Sequence, residues 1–211
     1  MKPLSVRLKE GTKVAHTQAE ESPFIRRFFT GQIDRSTYTA LLHRLLPIYR
    51  ALEAPSGRAH IVYDTVDIDL MARATAIEDD LTFFGQDPLA FPPSPSVQRY
   101  VERINYAAEH APHLYLAHAY TRYLGDLSGG QVLKKIVQKT FGLCDGEGVS
   151  FYLFPKIPHL HAFKQTFRKG IDALLLSEIQ HAEVVDEAVL SFSMNRSIFD
   201  ELEARSAPAE A

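Results

Sequence analysis

The sequence predicts an all-α fold, and three observations carry that expectation. Apolar residues recur at intervals of three and four through most of the chain. The breaks between those runs are helix punctuation, with small polar residues and prolines at starts and glycines at ends. Only Val149–Phe154 (VSFYLF) has the look of a strand, and one strand makes no sheet. A chain of 211 residues supports one well-filled core. One helical domain over residues 1–204 is therefore expected, with a short disordered tail at 205–211. About seven to nine helices would make it.

The elements follow in order. Lys9, Lys13, His16 and Glu20 are spaced four, three and four residues apart, which puts them on one stripe of a single first helix. Ser22 followed by Pro23 starts a short second helix that Gly31 closes. Asp34 opens a longer one with Tyr38, Leu41, Leu42, Leu45, Ile48, Tyr49 and Leu52 on its apolar side. Pro47 is expected to kink it. Asp67–Phe84 keeps Leu70, Met71, Ala74, Ile77 and Leu81 in phase. FPPSPS is a rigid connector, Ser94-Pro95 starts the next helix, and Pro112 and Pro158 mark two further starts. Ser177 with Gln180 forms a capping box before a helix reaching to around Ser193.

The run His113–Gly142 poses a question. Leu116, Ala119, Tyr123, Leu127, Val132, Ile136 and Val137 recur at helical intervals, yet Gly125, Gly129 and Gly130 lie in its middle. Each glycine costs a helix interior about 1 kcal/mol relative to alanine. Gly125 and Gly129 are one turn apart and open a groove on one face. Two readings stand: close packing of a second helix, or approach of a ligand to the backbone. A phosphate loop is excluded, because Gln131 stands in place of the lysine and no strand precedes. The Lys9–Glu20 stripe also reads two ways. It is a solvated face with i,i+4 pairs, or a ligand histidine whose second ring N–H is held by Glu20, flanked by cations for anionic groups.

Composition narrows the class. A net charge of −3 offers no overall basic field for nucleic acid. The start MKPLSVRLKEG lacks the apolar stretch of a signal peptide, and no window approaches a membrane span. The single cysteine, Cys144, cannot form an internal disulfide, in keeping with a reducing cytoplasm.

Four segments, KVAHTQAEESPF, YTRYLGDLSGGQVLKK, GEGVSFYLFPKI and FKQTFRKGID, together resemble the haem oxygenase family, in that family's order, from near Ser5 to Glu203. The resemblance implies an all-helical fold with haem between a proximal and a kinked distal helix. It makes His16 the proximal ligand to the iron and Glu20 its hydrogen-bond partner. Gly125 and Gly129 match the distal glycines whose backbone lies against the haem face, and Gly130 belongs to the same flexible segment. Asp126 matches the distal aspartate, a carboxylate able to deliver protons through ordered water. Lys9, Lys13, Tyr120, Lys164 and Arg168 are implied as propionate anchors. Arg122 and Ser128 also match the distal segment, Arg122 in support of a water network or of the structure. Tyr49 is either a lining residue of the distal pocket or a core tyrosine.

The implied activity is ring opening of haem b to biliverdin, with release of carbon monoxide and ferrous iron. Haem would be both substrate and cofactor. Covalent attachment is not expected, since there is no C-x-x-C-H. The reaction needs dioxygen and outside electrons, because no flavin or nicotinamide signature is present. A ferredoxin or a flavoprotein reductase is the implied donor. A soluble, cytoplasmic, bacterial-type member is expected, without the C-terminal membrane anchor of mammalian members.

Two rival readings were weighed. A di-iron carboxylate protein needs two Glu-x-x-His motifs, and Glu178-Ile-Gln-His181 is the one present. A haem carrier would share the stripe and the cations but has no need of Asp126 or the distal glycines. His118, seven residues before Gly125, is an alternative ligand, ranked below His16 because the family match belongs to HTQAE. The stretch APSGRAHIVYDTVDID matches no functional motif.

Overall fold

The computed structural model describes residues 2–54 and 67–206, and among these it is helical with no β-strand. The helices are α1 (Leu4–Gly11), α2 (Lys13–Glu20), α3 (Pro23–Phe29), α4 (Arg35–Glu53), α5 (Ile68–Met71) and α6 (Ala74–Phe83). They continue with α7 (Pro95–His110), α8 (Pro112–Asp126), α9 (Gly130–Phe141), a 3-10 turn (Ser150–Tyr152), α10 (Leu160–Ala173) and α11 (Glu178–Ser206). The number exceeds expectation because three runs expected to be continuous are each cut in two.

The first cut is at Thr12, so the stripe does not lie on a single helix. Lys9 belongs to α1, whereas Lys13, His16 and Glu20 belong to α2. Thr12 is buried, and its hydroxyl donates back to the Leu8 carbonyl at 2.7 Å, a local bond that competes with regular helix. The second cut separates α5 from α6 at Ala72–Arg73. Glu53, at the end of α4, accepts from the Arg73 N–H at 2.6 Å and from the Ala74 N–H at 3.1 Å, and so caps α6 from another helix. The third cut is the glycine segment, where α8 stops at Asp126 and α9 begins at Gly130.

Other ends form as their sequence signals indicate. Ser22 Oγ accepts from Ile25 N–H, and Asp34 accepts from Thr37 N–H at 2.7 Å. The Ser177–Gln180 capping box is reciprocal, at 2.9 and 3.2 Å. Helix α4 runs on through Pro47 to Glu53, and α11 runs past Ser193 to Ser206. Arg205 and Ser206, expected to begin a disordered tail, instead continue α11; residues 207–211 of that tail, and 55–66 of the unassigned stretch, lie outside the described residues.

VSFYLF is not a strand. Its apolar side chains are buried by packing, and Asp80 satisfies its backbone by accepting from the N–H groups of Ser150 (2.7 Å) and Phe151 (2.8 Å). Those bonds hold a 3-10 turn against α6, with Phe151 and Tyr152 filling the core.

Helices α8 and α11 form the spine, with α11 also packing on α1, α2, α3, α4 and α7, while α4 packs on α6 and α7. Tyr38, Tyr49, Tyr100, Tyr115, Tyr123, Phe24, Phe28 and Phe167 are fully or almost fully buried between them. At the α1 end, a Cβ on Gly11 would sit 2.4 Å from Val185 Cγ1, so α1 and α11 meet at backbone distance. None of the described helices is long and apolar enough to cross a membrane.

Candidate functional site

The two sequence features that raised questions, the histidine stripe and the glycine segment, each acquire a definite geometry. On α2 the His16 side chain is 50% exposed, and its Nδ1 lies 3.3 Å from Glu20 Oε2 one turn on. Phe192 of α11 steadies the ring from the side, with centroids 5.4 Å apart in an edge-on arrangement. With Nδ1 turned to a carboxylate, Nε2 is the nitrogen left to bind an outside atom.

The glycines separate into two kinds. A Cβ on Gly125 would meet nothing within 4 Å, and one on Gly129 would meet only the Gly125 carbonyl oxygen, at 3.7 Å. Among the described residues, no neighbouring side chain occupies the space beside them. Helix packing therefore does not explain these two glycines; they border open space. Gly130 is different, because its Cβ would lie 3.2 Å from Tyr152 Cδ1, and that glycine serves packing. The bend is stitched from within. Ser128 N–H reaches back to Gly125 O at 3.1 Å, and Gln131 Nε2 donates to Asp126 O at 3.3 Å and Tyr152 O at 2.9 Å.

Behind the open glycine face lies a buried polar cluster. Asp126 is 6% exposed. Its Oδ2 accepts from the Tyr49 hydroxyl, and its Oδ1 lies 3.5 Å from Arg122 Nη2. Arg122 donates to the Tyr49 oxygen from Nη2 at 2.8 Å and from Nε at 3.1 Å, and to Asn195 Oδ1 at 2.8 Å. Asn195 continues to the Tyr100 hydroxyl at 3.3 Å, which meets Ser191 Oγ at 2.6 Å. Burial pushes the Asp126 carboxyl up; Arg122 and the Tyr49 hydrogen bond pull it back, and the net position stays above the ordinary aspartate value. Burial also opposes the charge on Arg122, but Tyr49 and Asp126 more than reverse this, and the guanidinium is held above its ordinary value. The cluster thus contains a carboxyl raised above its ordinary value, a phenol hydroxyl donating to it, and a fixed cation.

The expected rim residues gather in part. Lys164 Nζ donates to Ser128 Oγ at 3.2 Å, which places α10 against the glycine segment. Arg168 Nη1 donates to the Lys164 carbonyl at 3.4 Å. Burial raises the Tyr120 phenol, while a hydrogen bond with Thr12 and the charge of Arg168 lower it, so Tyr120 ties α8 to the break between α1 and α2. Lys9 and Lys13 are exposed on either side of that break. Arg122 does not join this rim; it points inward to Tyr49 and Asn195.

The alternatives find little support. His118 is fully buried, with Nε2 2.9 Å from Glu187 Oε1 and its ring against Tyr100, so it faces the core. Glu178 ion-pairs with Arg7 at 2.9 Å, and no three His, Cys, Asp or Glu side chains converge into a metal-binding group among the described residues. Tyr49, Asn195, Tyr100 and Phe192 are the members that sequence reasoning left out or left undecided. Their partners lie 70 or more residues away, and a tyrosine on a buried stripe carries no local mark of a polar role.

Residues 2–201 match the sequence model of a protein family described as "Heme oxygenase". The chain is 38% identical over 207 residues to the heme oxygenase of Pyropia yezoensis, covering 96% of this chain and 87% of that one. It is 40% identical over 206 residues to heme oxygenase 1 of Homo sapiens, covering 95% and 72%. Among solved structures, heme oxygenase from Leptospira interrogans superposes with a TM-score of 0.90 at 37% identity, covering 95% of this chain and all of that one. Heme oxygenase-1 from the cyanobacterium Synechocystis, solved in complex with heme, gives 0.88 at 37% identity, covering 97% and 94%.

Proposed function

The chain belongs to the haem oxygenase family, haem-degrading oxidoreductases, and from that premise we propose that it opens the ring of non-covalently held haem b to biliverdin, releasing carbon monoxide and ferrous iron. The observation that carries this reading is the pairing of open space beside Gly125 and Gly129 with a buried Asp126 next to them, its carboxyl raised by burial above the ordinary aspartate value. The residues present fit a haem. His16 offers Nε2, the glycines leave a face without side chains, and cations stand at the rim.

Bound haem supplies the iron at which dioxygen is reduced and the conjugated ring that is opened. The chain does the rest. His16 would hold the iron through Nε2, and Glu20 would fix the imidazole by accepting from Nδ1–H. Gly125 and Gly129 would keep side chains out of the reacting space. Asp126 would deliver protons through ordered water, with Tyr49 donating to its carboxyl and Arg122 holding both in place. Lys9, Lys13, Tyr120, Lys164 and Arg168 would receive the two propionates, with Ser128 aiming Lys164. A haem carrier would have no use for a buried carboxyl–phenol–guanidinium cluster behind the ligand face.

Electrons come from a ferredoxin or a flavoprotein reductase, since the chain has no cofactor motif of its own. The exposed, unpaired Cys144 supports a reducing, cytoplasmic setting. The test is an absorption time course on protein mixed with haemin, then supplied with an electron donor under air and catalase. Decay of the haem band with growth of biliverdin, and carbon monoxide captured by a reporter globin, is the expected result. A stable haem complex that only binds gas would overturn the enzymatic reading.

A further inference from the structure

A second cavity lies away from this site, where the start of α4 meets the end of α6 and the last turn of α11. Its volume is about 500 Å³, and it shares no residue with the haem site described above. That size falls within the roughly 300–1,000 Å³ typical of small-molecule sites. Its chemistry is one-sided. Arg35, Arg44 and Arg205 line it, and no aspartate or glutamate does. Phe83, Phe84 and Phe91 supply aromatic walls, with Phe91 edge-on to His43 at 5.0 Å.

Two polar groups in this wall are left without partners. Arg44 is only 9% exposed, and its Nε has no hydrogen-bond partner; His43 Nε2 is likewise buried and unpartnered. Buried polar atoms are normally satisfied, and a donor left open is costly. Burial lowers the basicity of Arg44, the charge of Arg205 lowers it further, and Glu201 is the one carboxylate that offsets them. Glu201 Oε1 accepts from the Ser96 N–H at 3.0 Å, and its Oε2 is buried without a hydrogen-bond partner. His43 is pushed towards its neutral form, first by burial and then by Arg44. Three arginines on the wall of one hollow gain from an added anion, and the phenylalanine faces from a flat ring.

We propose that this cavity binds a flat aromatic anion, an aryl carboxylate or aryl phosphate, with Arg35, Arg44 and Arg205 on its charge and Phe83, Phe84 and Phe91 on its ring. Such a ligand occupies the protein together with haem, because the two sites have no lining residue in common. The proposal stands independently of the ring-opening activity.

The test is isothermal titration of haem-loaded and haem-free protein with naphthalene-2-carboxylate, 2-naphthyl phosphate and the neutral naphthalene-2-carboxamide. One-to-one binding of at least one anion is expected, equal with and without haem, and about tenfold or more tighter than the carboxamide. Which anion binds more tightly identifies the natural headgroup. Arg44→Met should weaken the anion about tenfold or more. Arg35→Gln and Phe91→Ala should each weaken it severalfold, and both residues are exposed enough to be changed without loss of the fold, which circular dichroism would verify. Equal affinity for the carboxamide, competition by haem, indifference to the Arg35 and Phe91 changes, or no anion binding up to millimolar concentration would each overturn the proposal.

Discussion

Replacing Gly125 with alanine should make the haem-free protein more stable and the enzyme worse. The residue lies in the last turn of α8 at an ordinary helical conformation, and an added Cβ meets nothing within 4 Å. Only the helix-propensity term then applies, a gain of up to about 1 kcal/mol. For a chain of this length that raises the melting temperature by roughly 2–4 °C. With haem in place the same methyl group has to share the space with the ring. Overpacking costs about 1–3 kcal/mol, which corresponds to haem binding about 5- to 150-fold weaker. Thermal unfolding of the haem-free variant and a haemin titration followed by absorbance would read the two effects separately. A destabilised variant, or a stabilised one with unaltered haem affinity and biliverdin yield, would refute the claim that these glycines reserve space for a ligand. Gly130→Ala is the internal control. Its Cβ lies 3.2 Å from Tyr152, so it should gain nothing and lose some stability whether or not haem is present.

Further outcomes follow from the same geometry. His16→Ala should change the absorption spectrum of the haem complex and abolish most turnover, with partial recovery on adding imidazole; an unchanged spectrum moves the ligand elsewhere. Tyr49→Phe removes the hydroxyl that bridges Asp126 and Arg122, at a cost of about 1–3 kcal/mol in stability. Because that hydroxyl lowers the Asp126 carboxyl, its loss should move the pH profile of turnover upward, and an unmoved profile would exclude Asp126 as the titrating group. Glu187 is pulled two ways. Burial raises its carboxyl, but Arg103 and His118 bring it from 4.5 down to about 2. Its ionised form therefore stabilises the fold above pH 4.5, and that contribution is lost as pH falls towards 2. Glu187→Gln should cost about 3 kcal/mol at neutral pH and flatten the acid limb of stability in that window, measured by urea unfolding across pH.

The helical class and most helix starts were legible in the sequence because they rest on local chemistry, whereas the stripe expected on one helix is broken at Thr12. Ser22, Asp34 and the Ser177–Gln180 box cap their own helices within three residues, and spacing alone reveals that. Two of the failures share a cause, a partner far along the chain. VSFYLF has the composition of a strand, and only Asp80, 70 residues earlier, makes it a 3-10 turn. The cap that breaks Asp67–Phe84 in two is Glu53 on another helix. Val132 fits the apolar phase of the long run, yet it is half exposed, because the bend before Gly130 resets the phase. The same limit applies at the site. The His16–Glu20 pair and the Gly125–Gly129 gap are visible as spacings, their ligand roles implied only by the family resemblance, whereas Tyr49 and Asn195 join the cluster only when α4 and α11 close on Arg122.

The two walls of the proposed haem site differ in how they are fastened. The proximal wall is pinned at several points. Ser5 bonds Asp172 of α10 twice at 2.8 Å, Gly11 seats α1 against Val185, and Phe192 braces His16. The distal wall turns on Gly125 and Gly129, beside which no side chain packs, and is tied through Gly130 on Tyr152, Gln131 on the Tyr152 carbonyl and Lys164 on Ser128. One jaw is an anvil and the other a lever. Entry of haem and escape of a ring-opened product should then proceed by swinging α9 about Leu127–Gly129 while His16 stays in place. Stiffening that turn would slow the exit of product before it slowed the chemistry.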